Sequence, residues 1–436
     1  MWHISKIIPV SSFTFGAYSI DKERSIVTFK YHVEFKLGIK KTFTDKLYFN
    51  DISTDAWGTV PETVLTATLQ SLLIMLGINY WSAFRTSNIK IEGFTLTREQ
   101  AQFWNSLYLN GLAEFFYLMK IDFRNLIKFP YDDSITLPAP LLFTRPTRAL
   151  LLNGAGKDSI LSAEMLKKSN APFDFFSFAP TTAHKRIASL VGAKNISVKR
   201  RRDPLLTIIM VGSYPSVSTF TFIGVLVAEL CGYDSIVTSN ERSADFGNLE
   251  YLGLQVNHQW CKSTIAEKMI NDYIRSYITP SIRTHSLLRE LSEIEIVSQF
   301  VTYPKYLYDV TSCNTYFWLP PIQQKLIRTN YWCNHCPKCV FLFACFSAYL
   351  PKDQVISIFG ANLYTKMGLL PKFKRILGIE GTKPLDCVGE PEEMILAMHL
   401  ASKRGEYTGD KMMTMFEEHF HPGYDFAGLM ERVFVK

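Results

Sequence analysis

The clearest alternation in the chain runs from Ser25 to Phe35. There Val27, Phe29, Tyr31, Val33 and Phe35 interleave with Thr28, Lys30, His32 and Glu34. A period of two predicts a strand with one face buried and the other wet. Lys41 to Phe49 reads as its partner. The period then changes, and Leu65, Leu69, Leu72, Leu73 and Leu76 fall at helical spacing from Thr63 to Met75 and just beyond. Thr97-Arg98-Glu99-Gln100 has the form of a capping box and predicts a second helix through Phe103 and Leu107. Asn110 to Tyr117 is aromatic-rich and is expected to be buried against the next domain. Pro138, Pro140 and Pro146 mark Thr136 to Arg148 as a linker.

Beyond the linker, strands and helices alternate. Ala149–Leu152, Phe173–Phe178, Ile196–Lys199 and Ser235–Ser239 read as strands. Helices are expected at Ile160–Lys168, Ala183–Val191, Val217–Cys231, Ile265–Tyr277 and Leu287–Phe300. This rhythm predicts an α/β fold with a parallel, doubly wound sheet. Ligands in such sheets sit at the carboxyl ends of the strands. That rule puts the turn after Leu152 and Ser239-Asn240-Glu241-Arg242 on one rim. The chain thus divides into an N-terminal α+β domain (1–145), a parallel-sheet domain (146–310) and a Cys-rich, mostly helical C-terminal lobe (311–436).

Composition changes this picture little. The 436 residues are 47% hydrophobic and 20% charged, enough for a sizeable core and more than one domain. A net charge of +7 suits nucleotides and other small anions, but is too dispersed to argue for nucleic acid. The densest basic run, Lys199-Arg200-Arg201-Arg202, reads as a solvated loop. Met1-Trp2-His3 leads into Lys6 without a signal peptide, and no apolar run reads as a transmembrane segment. The expected location is therefore the cytoplasm, where the eight cysteines would be free or metal-bound.

The candidate chemistry begins at Gly154-Ala155-Gly156-Lys157-Asp158-Ser159, between a strand and a helix. Strand, glycine turn and helix present free backbone N–H groups to an anion. Walker A spacing is missing. The motif instead resembles the PP-loop, S-G-G-x-D-S, of ATP pyrophosphatases, and departs from it at the first two positions. A positive φ at Ala155 would cost roughly 1 kcal/mol. The competing reading is an ordinary strand-to-helix turn. On the same rim, Glu241 suits magnesium or acid–base work, and Arg242 suits a phosphate or carboxylate. In Gln255-Val256-Asn257-His258-Gln259-Trp260-Cys261-Lys262, His258 suits proton transfer, with Cys261 and Lys262 as alternatives. Cys333, Cys336 and Cys339 have zinc-ligand spacing, with Cys313 or His335 to close the site. With no open position, such a zinc would be structural. Cys345 and Cys387 are expected outside that cluster.

Taken in order, several stretches together resemble one family. They are Gly154 to Ser159, Ser239 to Ala244, Val256-Asn257-His258-Gln259, the Trp332 to Cys339 cluster and Lys383-Pro384-Leu385-Asp386-Cys387-Val388-Gly389, with Asn110 to Tyr117 in the N-terminal part. The chain is similar to UDP-N-acetylmuramoyl-L-alanyl-L-glutamate epimerases over nearly its whole length. The resemblance implies a PP-loop fold and an ATP- and magnesium-dependent inversion of a terminal L-glutamate in peptidoglycan precursor synthesis, which serves cell-wall biogenesis and cell shape. It implies an acyl-adenylate, with AMP and pyrophosphate as products. It assigns Gly154, Ala155, Gly156, Lys157, Asp158, Ser159 and Asn240 to ATP and its magnesium, Glu241 to magnesium or the adenylate, and Arg242 and Asn257 to the muramoyl peptide. His258, with Cys261 or Lys262, would move the α-proton, and Cys313, Cys333, Cys336 and Cys339 would hold zinc. Rival readings are another PP-loop adenylating enzyme, acting on a nucleobase, a tRNA or a different peptide, and a nucleotide-binding protein without catalysis.

Overall fold

The computed structural model describes residues 9–36, 38–209, 214–318, 331–420 and 423–434. The opening residues, on which the reading of no signal peptide rests, lie outside that set. The strands are β1 (Val10–Asp21), β2 (Ile26–Phe35), β3 (Lys40–Tyr48), β4 (Ile89–Ile91), β5 (Ala149–Leu152), β6 (Phe173–Phe178), β7 (Asn195–Arg202), β8 (Ser235–Thr238), β9 (Leu249–Tyr251), β10 (Leu254–Val256) and β11 (Arg283–Ser286). β9 and β10 form a separate hairpin. The others form one nine-stranded sheet in the order β11-β8-β5-β6-β7-β3-β2-β1-β4.

The alternation read in β2 is the observed burial pattern, with Val27, Phe29, Tyr31 and Val33 at 0% exposure. β1, β2 and β3 pair antiparallel. The capping box is also present: Thr97 caps the helix Arg98–Gly111 and exchanges hydrogen bonds with Gln100. The helix expected over Thr63 to Met75 runs from Glu62 to Phe84. Its continuation is buried on nearly every side, from Leu76 and Ile78 to Tyr80 and Trp81, so no polar face marks the period. It is long and apolar enough to cross a membrane, the one such helix among the described residues, yet 78% of its most apolar window is buried within the protein.

The other half of the sheet is parallel throughout: β11, β8, β5, β6 and β7. The chain moves from β5 outward through β6 to β7, then returns to lay β8 and β11 on the opposite side of β5. Strand order therefore reverses between β5 and β8, and the loops leaving these two strands diverge around a crevice. β11 had no counterpart in the sequence reading. Its four residues, Arg-Thr-His-Ser, carry no apolar run. The helix read over Leu287 to Phe300 begins only at Glu293, where Ser292 and Glu295 form its capping box.

One sequence reading is corrected. Lys199 to Arg202 is not a solvated loop but the end of β7, paired antiparallel with Tyr48 to Asp45 of β3. This pairing joins the antiparallel and parallel halves of the sheet. Arg200 lies inside it, with a side chain 4% exposed, and donates to both carboxylate oxygens of Asp45 and to Leu76 O at 3.2 Å. The run was misread because alternation sends Lys199 and Arg201 outward, while Arg200 finds a buried partner only in the distant β3.

The C-terminal residues are helical and pack around the apolar helices Pro337–Tyr349 and Pro391–Lys403. Elsewhere, Glu229 of the helix Ser216–Cys231 is buried against the Glu62–Phe84 helix and accepts from Thr68 Oγ1 at 2.7 Å. Burial pushes its carboxyl up to about 8.

Two stability predictions follow from these buried charges. Asp45→Ala leaves the Arg200 guanidinium buried without its carboxylate and should cost about 3–5 kcal/mol, measured by denaturant unfolding. Glu229 keeps its proton when folded at pH values where the unfolded chain, with an ordinary pKa near about 4.3, has released it. Its contribution therefore falls as pH rises from there through about 8. Glu229→Gln should flatten the decline in melting temperature between roughly pH 5 and 8 that this group causes in the wild type.

Candidate active site

The loop leaving β5 is shaped by Asn153. Its Oδ1 accepts from Ala155 N at 2.9 Å, and its Nδ2 donates to His184 O and Asn195 Oδ1, each at 3.1 Å. Ala155 is fully buried and takes the positive φ, 55°. Gly156 follows with an extended φ of −103° and precedes the helix Lys157–Lys168 without a side-chain cap. A Cβ at Gly156 would meet the Ser312 side-chain Oγ at 2.9 Å, so Ser312 would have to turn aside to admit a larger residue here. The first N–H groups of a helix have no partner within it. At this helix they are left to the crevice. Ser159 Oγ closes the first turn by donating to Gly156 O at 3.1 Å.

The loop leaving β8 faces them. Asn240 Nδ2 donates to Thr238 Oγ1 at 3.0 Å, and Asn240 O accepts from Ser286 Oγ at 2.7 Å. Glu241 is 1% exposed, and its Oε1 has no hydrogen-bond partner; the nearest cation is Lys262 Nζ at 3.6 Å. Arg242 turns away from the crevice. Its guanidinium donates to Glu290 O at 2.9 Å and Val433 O at 2.6 Å and pairs with Glu295 at 3.6 Å. Asn257 is likewise engaged in its own turn, donating to Ala244 O and accepting from Gln259 N, each at 2.8 Å.

Beneath the crevice lies a buried charge network. Lys157 Nζ pairs with both Asp158 and Glu293, and Lys338 Nζ meets the other oxygen of Glu293 at 2.5 Å. Burial works against the charge on Glu293, but the two ammoniums outweigh it and hold its carboxyl well below the usual range. Asp158 responds oppositely: burial and the nearby Glu293 and Glu241 raise it against the pull of Lys157. Burial disfavours the Lys262 ammonium, yet Glu241 and Cys387 keep it firmly protonated.

Together these elements enclose a cleft of about 480 Å³. Gly154, Gly156, Asp158, Ser159, Ser239 and Asn240 line it, from the two loops that the sequence reading placed on one rim; Glu241 and Arg242 of that rim do not, and Lys262 does. One part of the lining is aromatic, with Phe176, Phe178, Phe220, Phe317 and His184. Burial lowers the His184 imidazole to about 4, so it is neutral there. Ser312, Asn314, Lys338 and Cys387 also line it. None of these four was expected at the cleft from the sequence. Ala155 and Lys157 are buried behind the surface.

Asn257, His258 and Cys261 line a small adjoining recess with Glu114, which comes from the N-terminal helix Ala113–Met119. His258 Nδ1 lies 2.6 Å from Glu114 Oε2, and the imidazole lies beside the Cys387 thiol. Burial would lower His258, but Cys387 and Glu114 together raise it well above its ordinary value. Burial pushes the Cys261 thiol up.

Cys313, Cys333, Cys336 and Cys339 converge, with all four sulfurs within 4.8 Å of one another. Backbone N–H groups of Tyr316, Cys336 and Cys339 point at Cys313, Cys333 and Cys336 sulfurs at 3.3–3.4 Å. This is the one group of its kind among the described residues that is placed to hold a metal ion. His335 is exposed and turns to Cys333 O at 2.9 Å, which leaves Cys313 as the fourth thiol. Cys345 and Cys387 lie outside the cluster, as expected.

Comparison with known proteins gives a concordant result. The MurL N-terminal domain matches residues 6–287, and the MurL C-terminal domain matches residues 309–425. A protein of Xanthomonas oryzae pv. oryzae is 31% identical over 375 residues, covering 85% of this chain and 82% of the relative. Relatives in Micromonospora sp. and Salinispora tropica are each 29% identical, over 91% and 92% of this chain and 88% and 86% of their own lengths. All three are named UDP-N-acetyl-alpha-D-muramoyl-L-alanyl-L-glutamate epimerase. With both domain models matched in order around the same cleft and cysteine cluster, the chain belongs to the UDP-N-acetyl-alpha-D-muramoyl-L-alanyl-L-glutamate epimerase family.

Proposed function

We propose that this chain is a PP-loop enzyme that inverts the terminal L-glutamate of UDP-MurNAc-L-Ala-L-Glu by way of an acyl-adenylate, releasing AMP and pyrophosphate. The carrying observation is the crevice at the strand-order reversal, which an uncapped helix N-terminus and Asn240 line, with the buried Glu241 next in the chain, its Oε1 accepting no hydrogen bond and 3.6 Å from Lys262 Nζ. The helix N-terminus suits phosphate and the Glu241 carboxylate a divalent cation. The parallel strand order and Gly154 to Ser159 support the PP-loop assignment. The units 1–145, 146–310 and 311–436 each bring something to this reading: Glu114, the phosphate loop, and Lys338 with the cysteines. A nucleotide-linked substrate and ATP place the enzyme in the cytoplasm.

The chemistry has a clear rationale. A carboxylate's α-proton is very weakly acidic because its removal makes a dianion. Adenylation masks the carboxylate charge, and the enolate formed on deprotonation is then far better stabilised. Gly154, Gly156 and Ser159 cradle phosphate, with Ala155 fixing the turn and Asn240 closing the opposite wall. Lys157 offsets charge from below through Asp158. Asp158 and Glu241 would hold magnesium, which neutralises phosphate charge when bound. The aromatic part of the cleft suits a nucleobase. Lys262 and His258, both protonated, are suited to giving a proton. Arg242 and Asn257 act on the muramoyl peptide through the loops they brace. The four thiols suit a structural zinc.

Two measurements test this reading. Incubation with ATP, magnesium and UDP-MurNAc-L-Ala-L-Glu should yield AMP and D-glutamate together. Glu241→Gln should lower the rate by roughly 10²-fold or more. AMP without inversion would point to another acceptor, and no AMP would remove the adenylation step. Elemental analysis of carefully prepared protein should find stoichiometric zinc, and Cys336→Ser should lose it and melt at a lower temperature.

A further inference from the structure

Cys387 lies in the loop before the helix Pro391–Lys403 and is partly open to the cleft, beside Asp158, Lys262 and Lys338. It is not an isolated thiol. The His258 imidazole lies beside it, and Glu114 holds the Nδ1 side of the same ring at 2.6 Å. A carboxylate, an imidazole and a thiol are thus grouped in sequence, with the thiol at the cleft, the arrangement that favours an ionised cysteine.

The array is rigidly registered. Asn248 Oδ1 accepts from His258 N at 2.8 Å, while its Nδ2 donates to Pro384 O at 2.7 Å. One side chain therefore ties the histidine loop to the cysteine loop. Gln259 Nε2 adds a second tie at 3.1 Å to Val388 O, and Cys387 N donates to Asp386 Oδ1 at 2.8 Å.

We propose that Cys387 is the base that takes the α-proton of the activated glutamyl residue, with Glu114 and His258 as its positioning partners. This rests on the epimerase reading above. The groups facing the thiol decide its charge. Burial opposes ionisation, but Lys262, His258 and Lys338 outweigh it and lower the thiol below its ordinary value; Asp386 is held next to it by Asn314 and is itself raised by burial. His258, already an imidazolium, has no lone pair to accept a proton. Cys261 is pushed the other way by burial, and Lys262 is held protonated. Cys387 is the one member of the group that is left basic.

In the step itself, a sulfur lone pair forms S–H as Cα–H breaks. The released electron pair moves onto the acyl-adenylate carbonyl oxygen. Lys262 gives its proton to the opposite face, forming the new Cα–H. Solvent then carries the thiol proton to the lysine amine, restoring both groups.

The test compares wild type with Cys387→Ala and Cys387→Ser in deuterium oxide, with ATP, magnesium and UDP-MurNAc-L-Ala-L-Glu. Pyrophosphate, AMP, deuterium at the glutamate α-carbon and D-glutamate are measured in each. Both variants should still release pyrophosphate, because adenylation precedes deprotonation, while deuterium entry and inversion fall by about 10²–10⁴-fold. Inversion undiminished in either variant overturns the assignment alone. No AMP from the wild type overturns the epimerase reading and this assignment with it. An acyl adduct on Cys387 after acid quenching makes it a nucleophile and overturns its role as base. If the variants do not fold, iodoacetamide labelling of wild-type Cys387, followed by peptide mass, decides. Alkylation persisting well below pH 8.5 and blocked by ATP with substrate supports the thiolate, and labelling that rises only above about pH 8.5 overturns it.

Discussion

Glu293 receives two ammoniums from distant parts of the chain, Lys157 in the first turn after the Gly154–Gly156 loop and Lys338 in the helix that follows the cysteine cluster. All three side chains are essentially shielded from water. Desolvating each ion costs about several kcal/mol, and mutual attraction repays that only with close geometry. The arrangement is stable because it is complete: Asp158 takes the second contact of Lys157, so two cations meet two anions. The interaction locks the loop after β5 to the C-terminal helices. Lys338, though buried, borders the cleft, as does Lys262, whose own partner is Glu241. Charges that are already oriented and desolvated need little reorganisation when a polyanion arrives.

A second buried pair has the same logic in a structural role. Arg200 and Asp45 hold the antiparallel strands to the parallel ones, making one continuous sheet. Through that continuity the N-terminal helices are placed against the crevice, and Glu114 reaches His258. The N-terminal part is therefore a wall of the site as well as a support for the fold. It supplies one of the two groups, with Cys387, that raise the imidazole.

Much of the framework was legible in the residues themselves. The period-two run at β2, the capping box at Thr97 and the apolar strands β5, β6 and β8 each carry a local signal strong enough to survive tertiary context. The rim rule then brought the turn at Gly154 to Ser159 together with Ser239 and Asn240, about 80 residues further along the chain. What escaped was non-local. β11 has no apolar pattern, because pairing with β8 alone defines it. Arg200 looked solvated because its partner lies in β3. Cys387, Glu293 and Glu114 acquire chemical meaning only beside His258, Lys157 and Lys338, and nothing in their immediate sequence states those pairings. Arg242 and Asn257 show the converse: polar residues on the correct rim whose hydrogen bonds go to backbone.

The departures of the loop from S-G-G-x-D-S take on a definite sense against this geometry. Ala155 carries a left-handed backbone that costs about 1 kcal/mol relative to glycine. Its methyl group is fully buried, and burying one methyl offsets a comparable amount. Asn153 holds the Ala155 amide in place, doing by hydrogen bond what a second glycine would do by freedom. At Gly156 the constraint is different: a Cβ there would meet the Ser312 hydroxyl at 2.9 Å, so glycine leaves that side chain its place. The loop thus keeps glycine at a close side-chain contact and replaces it where packing can bear the strain.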